Sequence, residues 1–257
     1  LLFVPDPKRR GARYIKSAKG KDVVASVPIR DVVAYARKNW KTFLCHHTGF
    51  ATLAFSSYGV GAWGAEYMRR SHDWGPGRIG ILFMTHVVVA GCAGIITGGY
   101  LCDRLAARGR TDAPMIVGLV SAALWIPTGI LYPIVGNGWV AWGFMVPTYF
   151  FTAFSAGVAA AAIQQIVPNA MRGQASATYL FVTNLIGLGL GPTGVALVTD
   201  YVFRDESMLR YSILIVGVGC HIVATVLFII GMQPFRESVE NLQRWEDENL
   251  GADGVPT

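Results

Sequence analysis

The chain has 257 residues, 53% of them hydrophobic and only 15% charged, too few charges for an ordinary soluble domain, in which about a quarter of residues are charged. Its formal net charge of +6 would suit a nucleic-acid partner, but the positions of the basic residues, given below, argue for a lipid surface and no nucleic acid. Cys45, Cys92, Cys102 and Cys220 form no CxxC pair, so no disulfide, metal centre or cofactor is expected and small apolar fillers are the simpler reading.

Residues 1–4 read as the end of a preceding transmembrane helix that meets a proline and a basic flank, so the chain is expected to begin inside a longer protein. They are too short for a signal peptide, and the basic residues follow rather than precede them. Residues 5–42 are a polar linker, expected on the cytoplasmic side. Its first half, KRRGARYIKSAKGK, has no periodicity and reads as flexible. In its second half Ile29, Val32, Val33, Ala36, Trp40 and Phe43 recur at helical spacing, with Arg30, Arg37, Lys38 and Lys41 on other faces. That spacing predicts an amphipathic helix over about 28–41, started by Ser26 and Pro28 and lying along the lipid surface. A calmodulin-like target helix is the other reading of it.

Residues 43–232 form the expected transmembrane bundle. Six runs, at about 43–67, 78–101, 113–135, 138–164, 174–199 and 211–232, are each long enough to cross a hydrocarbon core of roughly 30 Å as a helix. The fold class is therefore all-α, a polytopic membrane protein with six transmembrane helices. Residues 5–42 carry eleven of the 22 Lys and Arg, and Arg104, Arg108, Arg110, Arg172, Arg236 and Arg244 would lie on the same side. Only Arg69, Arg70, Arg78, Arg204 and Arg210 fall on the other. Basic residues are retained on the cytoplasmic side, which puts the linker and the C-terminus in the cytoplasm of an inner membrane. Residues 233–257 read as a soluble tail, helical through Phe235, Val239, Leu242 and Trp245 but acidic.

Between the second and third runs the spacing G-x-L-x-D-R-L-x-x-R-G-R is carried by Gly99, Leu101, Asp103, Arg104, Arg108, Gly109 and Arg110. It resembles the signature loop of the major facilitator superfamily, and it stands where that family has it, after the second helix of a six-helix half. VPNAMRGQASA at 167–177 and NLIGLGLGPTGVALVTD at 184–200 add a resemblance to the spinster-type branch, with anion:cation symporters sharing similar text. The resemblance implies the C-terminal half, helices seven to twelve, of a twelve-helix secondary transporter whose other partner is a missing N-terminal six-helix half. It also implies that the gating-loop carboxylate, Asp103, pairs across to that half on the cytoplasmic side.

Within the spans, Thr48, Thr52, Ser56, Gly59, Trp63 and Glu66 make one small or polar stripe on the first, which should face the protein interior or a water-filled cavity. Thr52, Ser56, Trp63, Glu66, His86, Tyr149 and Asn184 are the substrate-cavity candidates; Glu66 is also read as a gate or a solvated end residue, and His86 as a structural histidine. Tyr149, Thr152 and Ser155 among Phe150, Phe151 and Phe154 would suit a solute with an apolar part, or simple packing. Gly187, Gly191 and Gly194 share one helix face and allow close helix approach, with Pro192 as a hinge. GLGLGP at 187–192 lacks the strand and spacing of a dinucleotide loop. No nucleophile, HExxH or P-loop is present, so no enzyme is expected. The functional expectation is transport of a small organic or amphipathic solute by alternating access; organic-anion/proton symport and a non-transporting membrane receptor or scaffold are the alternatives.

Overall fold

The computed structural model describes residues 14–16, 22–24 and 27–250, with side chains described for 27–244. The expected helix end at 1–4, most of the linker's first half and the last residues of the tail lie outside the described residues. Within the linker, β1 (Tyr14–Lys16) and β2 (Asp22–Val24) pair antiparallel with Ile15 opposite Val23, a small hairpin that the lack of periodicity did not announce. The remainder is helical: α1 (Ile29–Lys38), α2 (Trp40–His72), α3 (Pro76–Ala107), α4 (Ala113–Ile134), α5 (Gly138–Gln165), α6 (Asn169–Phe203) and α7 (Leu209–Leu250).

α3, α4, α5, α6 and the Glu206–Arg244 stretch containing most of α7 are long and apolar enough to cross a membrane. α2, with 33 residues, spans about 50 Å at the α-helical rise but is too polar to join them on composition. It does not need to be apolar, because neighbours cover it: α2 packs extensively against both α6 and α7. Lipid never meets most of its polar side chains.

Glycines set the closest approaches. Gly94 and Gly98 of α3 rest on the carbonyls of Phe150 and Phe154 in α5, where any Cβ would overlap the oxygen. Gly187, Gly191 and Gly194 of α6 all face α2, against Ala54, Phe55 and Tyr58, and Gly59 of α2 meets the Gly191 backbone in return. Phe228 of α7 is fully buried between Gly49 of α2 and Gly118 of α4.

Three helices depart from regular α geometry. π-helical turns occupy His86–Gly91, Leu185–Leu190 and Val198–Phe203, and α5 breaks at Ser155. α7 runs on through Pro234, and Phe235, Ser238, Val239 and Leu242 are buried. The boundary drawn at 233 is thus no break: Thr42 Oγ1 at the start of α2 donates to the Pro234 carbonyl at 2.8 Å and lies 2.8 Å from Ser238 Oγ.

One end of the bundle holds Trp40, the α3–α4 connection and the late part of α7; the other holds His72 and the α2–α3, α4–α5 and α6–α7 connections. At the His72 end Arg78 lies over the rings of Trp74 and Trp139, at 5.5 and 5.8 Å, the aromatic and basic mixture favoured at a membrane interface. At the Trp40 end α1 touches the bundle through Tyr35, whose hydroxyl donates to the Ile166 carbonyl at 2.8 Å, while Ile29 and Val33 stay exposed.

Candidate functional site

A half-open cavity of about 370 Å³ lies between α2, α3, α4 and α5. Ser56 and Ser57 come from α2, Val87, Gly91 and Cys92 from the π turn of α3 and its end, Trp125 from α4, and Thr148, Tyr149 and Thr152 from α5. The π turn widens α3 by one residue per turn, which puts Val87 and Gly91 on the cavity while His86 and Ala90 stay buried. Gly61, Val87, Cys92 and Ile95 are exposed along its open side.

The lining is uncharged and some of its polar groups are committed to one another. Trp125 Nε1 donates to Thr152 Oγ1 at 3.0 Å, and the Thr152 and Thr148 hydroxyls donate to the carbonyls one turn earlier at 2.8 Å. His221 of α7 stacks beneath Trp125 at 3.8 Å between centroids, 7° from parallel, and its Nδ1 is 2.8 Å from the Gly217 carbonyl. Ser56 Oγ is enclosed without a hydrogen-bond partner among the described residues, and the Ser57 and Tyr149 hydroxyls on the same wall make no hydrogen bond among them either. The wall can therefore offer these hydroxyls to a solute over an aromatic and methyl surface.

Of the sequence candidates, Ser56 and Tyr149 line this cavity. His86 stands behind it, its ring stacked on Tyr149 at 5.4 Å and 6° and tilted on Trp142 at 4.9 Å, with neither nitrogen in a well-formed hydrogen bond. Thr52, Trp63, Glu66 and Asn184 lie elsewhere. The Thr52 hydroxyl returns to the Thr48 carbonyl; Trp63 Nε1 donates to the Pro192 carbonyl at 2.9 Å, tying α2 to α6. Glu66 sits at the His72 end, chelated by Arg69 and Arg70, with Arg70 reaching on to Glu206 at 3.2 Å. Asn184 is exposed and, among the described residues, bonds only to the Leu180 carbonyl of its own helix, at 2.8 Å. Thr148 and Trp125 joined the wall without having been singled out. The i, i+4 spacing of Thr148 and Thr152 was the available signal for the first.

These helices, their order and their glycine contacts can be set against solved structures. Over 87% of the chain they superpose on the crystal structure of a bacterial homologue of the human lysosomal transporter Spinster, inward-facing and unoccupied, with a TM-score of 0.58 and 16% identity. The fold is one half of a major facilitator fold. The occupied form of that transporter matches over 78% of the chain, with a TM-score of 0.54 and 18% identity. In sequence, 200 residues are 23% identical to an "MFS-type efflux pump" of Mycolicibacterium smegmatis, covering 77% of this chain. No family model matches. The chain spans about half the length of these relatives, 46% of the efflux pump and 53% and 49% of the Spinster-homologue chains.

In this half the signature loop ends α3. Gly109 has φ +80° and closes the helix: its N–H bonds the Ala106 carbonyl at 2.9 Å and the Arg110 N–H bonds the Leu105 carbonyl at 3.1 Å. That is the Schellman arrangement, which favours a residue without Cβ. Gly99 has nothing within 4 Å of a Cβ position; the packed glycine is its neighbour Gly98. Asp103 is exposed and unpaired among the described residues. Arg104 lies over Tyr100, donating to its hydroxyl at 3.0 Å, and Arg108 is exposed. Arg110 turns inward to Asp112, which is fully buried, with bonds of 2.9 and 3.0 Å, and Arg236 of α7 meets the other carboxylate oxygen at 3.1 Å. The charge cluster of this loop is thus built on Asp112, a residue outside the motif.

Proposed function

We propose that the chain is the C-terminal half of a secondary transporter that carries a small organic or amphipathic solute across the membrane by alternating access. The half rocks against a second six-helix half, with the linker and C-terminus in the cytoplasm of an inner membrane. The observation that carries the reading is the cavity itself. It opens on the side of the half where small and apolar residues are exposed, and its wall mixes the unpaired hydroxyls of Ser56, Ser57 and Tyr149 with aromatic rings and threonine methyls. An uncharged wall favours an amphipathic solute over an organic anion, since an anion site calls for a cation aimed into it. The half resemblance to an efflux pump agrees with this direction of chemistry.

In that mechanism Ser56 would hydrogen-bond the solute's polar part, and Trp125 and Tyr149 would hold its apolar part. Asp103, exposed at the Trp40 end, is free to pair with the other half when the cytoplasmic side is closed. The test is energised efflux of a panel of amphipathic dyes from cells expressing the complete protein. Expression should lower accumulation of at least one dye, and Ser56→Trp, which fills the cavity, should abolish that difference without loss of protein from the membrane. Efflux unaltered by Ser56→Trp would reject the cavity as the path, and no efflux of any dye or organic anion would leave the receptor reading standing in its place.

A further inference from the structure

A second cavity, of about 380 Å³, lies at the Trp40 end, away from the one assigned to solute. Its wall is of two kinds. Arg110, Arg172, Thr111, Gln165 and Gln243 supply polar groups, and Cys102, Ala106, Val239 and Leu242 an apolar strip. Arg172 is half-buried, its Nε is enclosed, and it forms no hydrogen bond or ion pair among the described residues. Only that N–H is withdrawn from water while the rest of the guanidinium stays open to the cavity; leaving the enclosed N–H without a partner is costly, and an anion seated on the guanidinium relieves the cost.

Among the described residues no carboxylate lines the cavity to supply it. Asp112 behind the wall is already shared by Arg110 and Arg236, so among the described residues positive charge remains in excess. The first residues of α4, Ala113 and Pro114, and Arg172, where α6 passes from its opening 3-10 turn into α-helix, also face the cavity, which turns two positive helix ends toward it. The apolar strip runs beside these groups, as the start of an acyl chain would require.

We propose that this cavity binds a phosphate group, Arg172 and Arg110 holding its oxygens, with a membrane phospholipid of net negative charge as the source that fits the two-sided wall. Cationic pockets between helices on the cytoplasmic side recognise anionic head groups by this chemistry. The site is independent of the transport reading, because it shares no residue with the other cavity.

The complete protein, purified in a zwitterionic detergent, is titrated with dihexanoyl phosphatidylglycerol, dihexanoyl phosphatidylcholine and sodium phosphate, followed by native mass spectrometry and thermal unfolding. Phosphatidylglycerol should bind saturably and phosphatidylcholine weakly. Arg172→Gln should weaken the former about tenfold, the size of one charge-assisted hydrogen-bond set, while Arg172→Lys keeps most of it and Arg78→Gln, at the opposite end, changes nothing. Gln243→Glu, an exposed position that tolerates substitution, should weaken binding even if Arg172→Gln does not fold. Full stabilisation by sodium phosphate alone would support the site with free phosphate as its source. Equal binding of the two lipids, insensitive to both variants, would overturn the proposal, as would binding that appears only after Glu246→Gln, Asp247→Asn and Glu248→Gln, since the chain's own carboxylates would then be the anion.

Discussion

α2 packs extensively against both α6 and α7, and α2 and α7 are built in opposite ways. α2 carries Thr42, Cys45, His46, Ser56 and Gly59 buried against neighbours, and falls short of a membrane span on composition. α7 passes that criterion easily, and Ile215, Ile222, Val223, Val226, Ile229 and Ile230 stand exposed along it. Hydropathy therefore reports what a helix touches rather than whether it crosses. The central helix is polar because protein and cavity surround it, and the peripheral one is apolar because lipid does.

The largest effect expected from breaking this arrangement is at Phe228, the α7 side chain wedged between α2 and α4. Phe228→Ala should cost about 3 kcal/mol in thermal or chemical unfolding of the detergent-solubilised protein, whereas Ile229→Ala, one residue on and 56% exposed, should stay within about 0.5 kcal/mol. Equal effects would mean that α7 is not oriented as described. Second comes Asp112→Ala, which strips a buried carboxylate from two guanidiniums. Its cost should be about 2 kcal/mol, below the 3–5 kcal/mol of a wholly buried pair, because both arginine side chains are 46% exposed and water takes up part of the loss. Asp103→Ala in the same assay should leave the stability of this half unchanged.

Thr42→Val is the third and removes the hydroxyl that ties α2 to Pro234 and Ser238, at about 1 kcal/mol. The smallest is a pH effect at the His72 end. Burial, then the nearby Arg210, lower the His72 pKa from its usual 6.5. A base whose folded pKa is depressed contributes stability that is complete above 6.5 and is lost as pH falls from there toward the folded value. The melting temperature should decline slightly from about pH 7.5 to about pH 5.5, and His72→Gln should flatten that decline; an unchanged slope would assign it to other groups.

The six helices were legible because lipid selects long apolar runs, and α2 was legible despite its polarity because its small and polar residues recur on one face. Other features were not. Pro234 and the charges after it suggest the end of a helix, yet α7 continues because Phe235, Val239 and Leu242 find buried positions against the start of the bundle. The signature spacing directs attention to Asp103 and Gly99, while the buried pairing falls to Asp112 and the close contact to Gly98. Helix phase decides between Gly98 and Gly99, and Arg236, which completes the Asp112 cluster, is remote in sequence. The π turns leave no periodic trace, so the choice of Val87 and Gly91 over His86 for the cavity wall had no signal at all.

The account stands on α2 presenting its serines to a water-accessible path while α7 presents its isoleucines to lipid. Nitroxide labels at Ser57→Cys and Ile222→Cys, in the complete protein in liposomes and with the native cysteines replaced, test that directly by collision with a water-soluble nickel chelate and with oxygen. The account predicts a high nickel-to-oxygen accessibility ratio at 57 and a low one at 222. The same low ratio at both positions would contradict it.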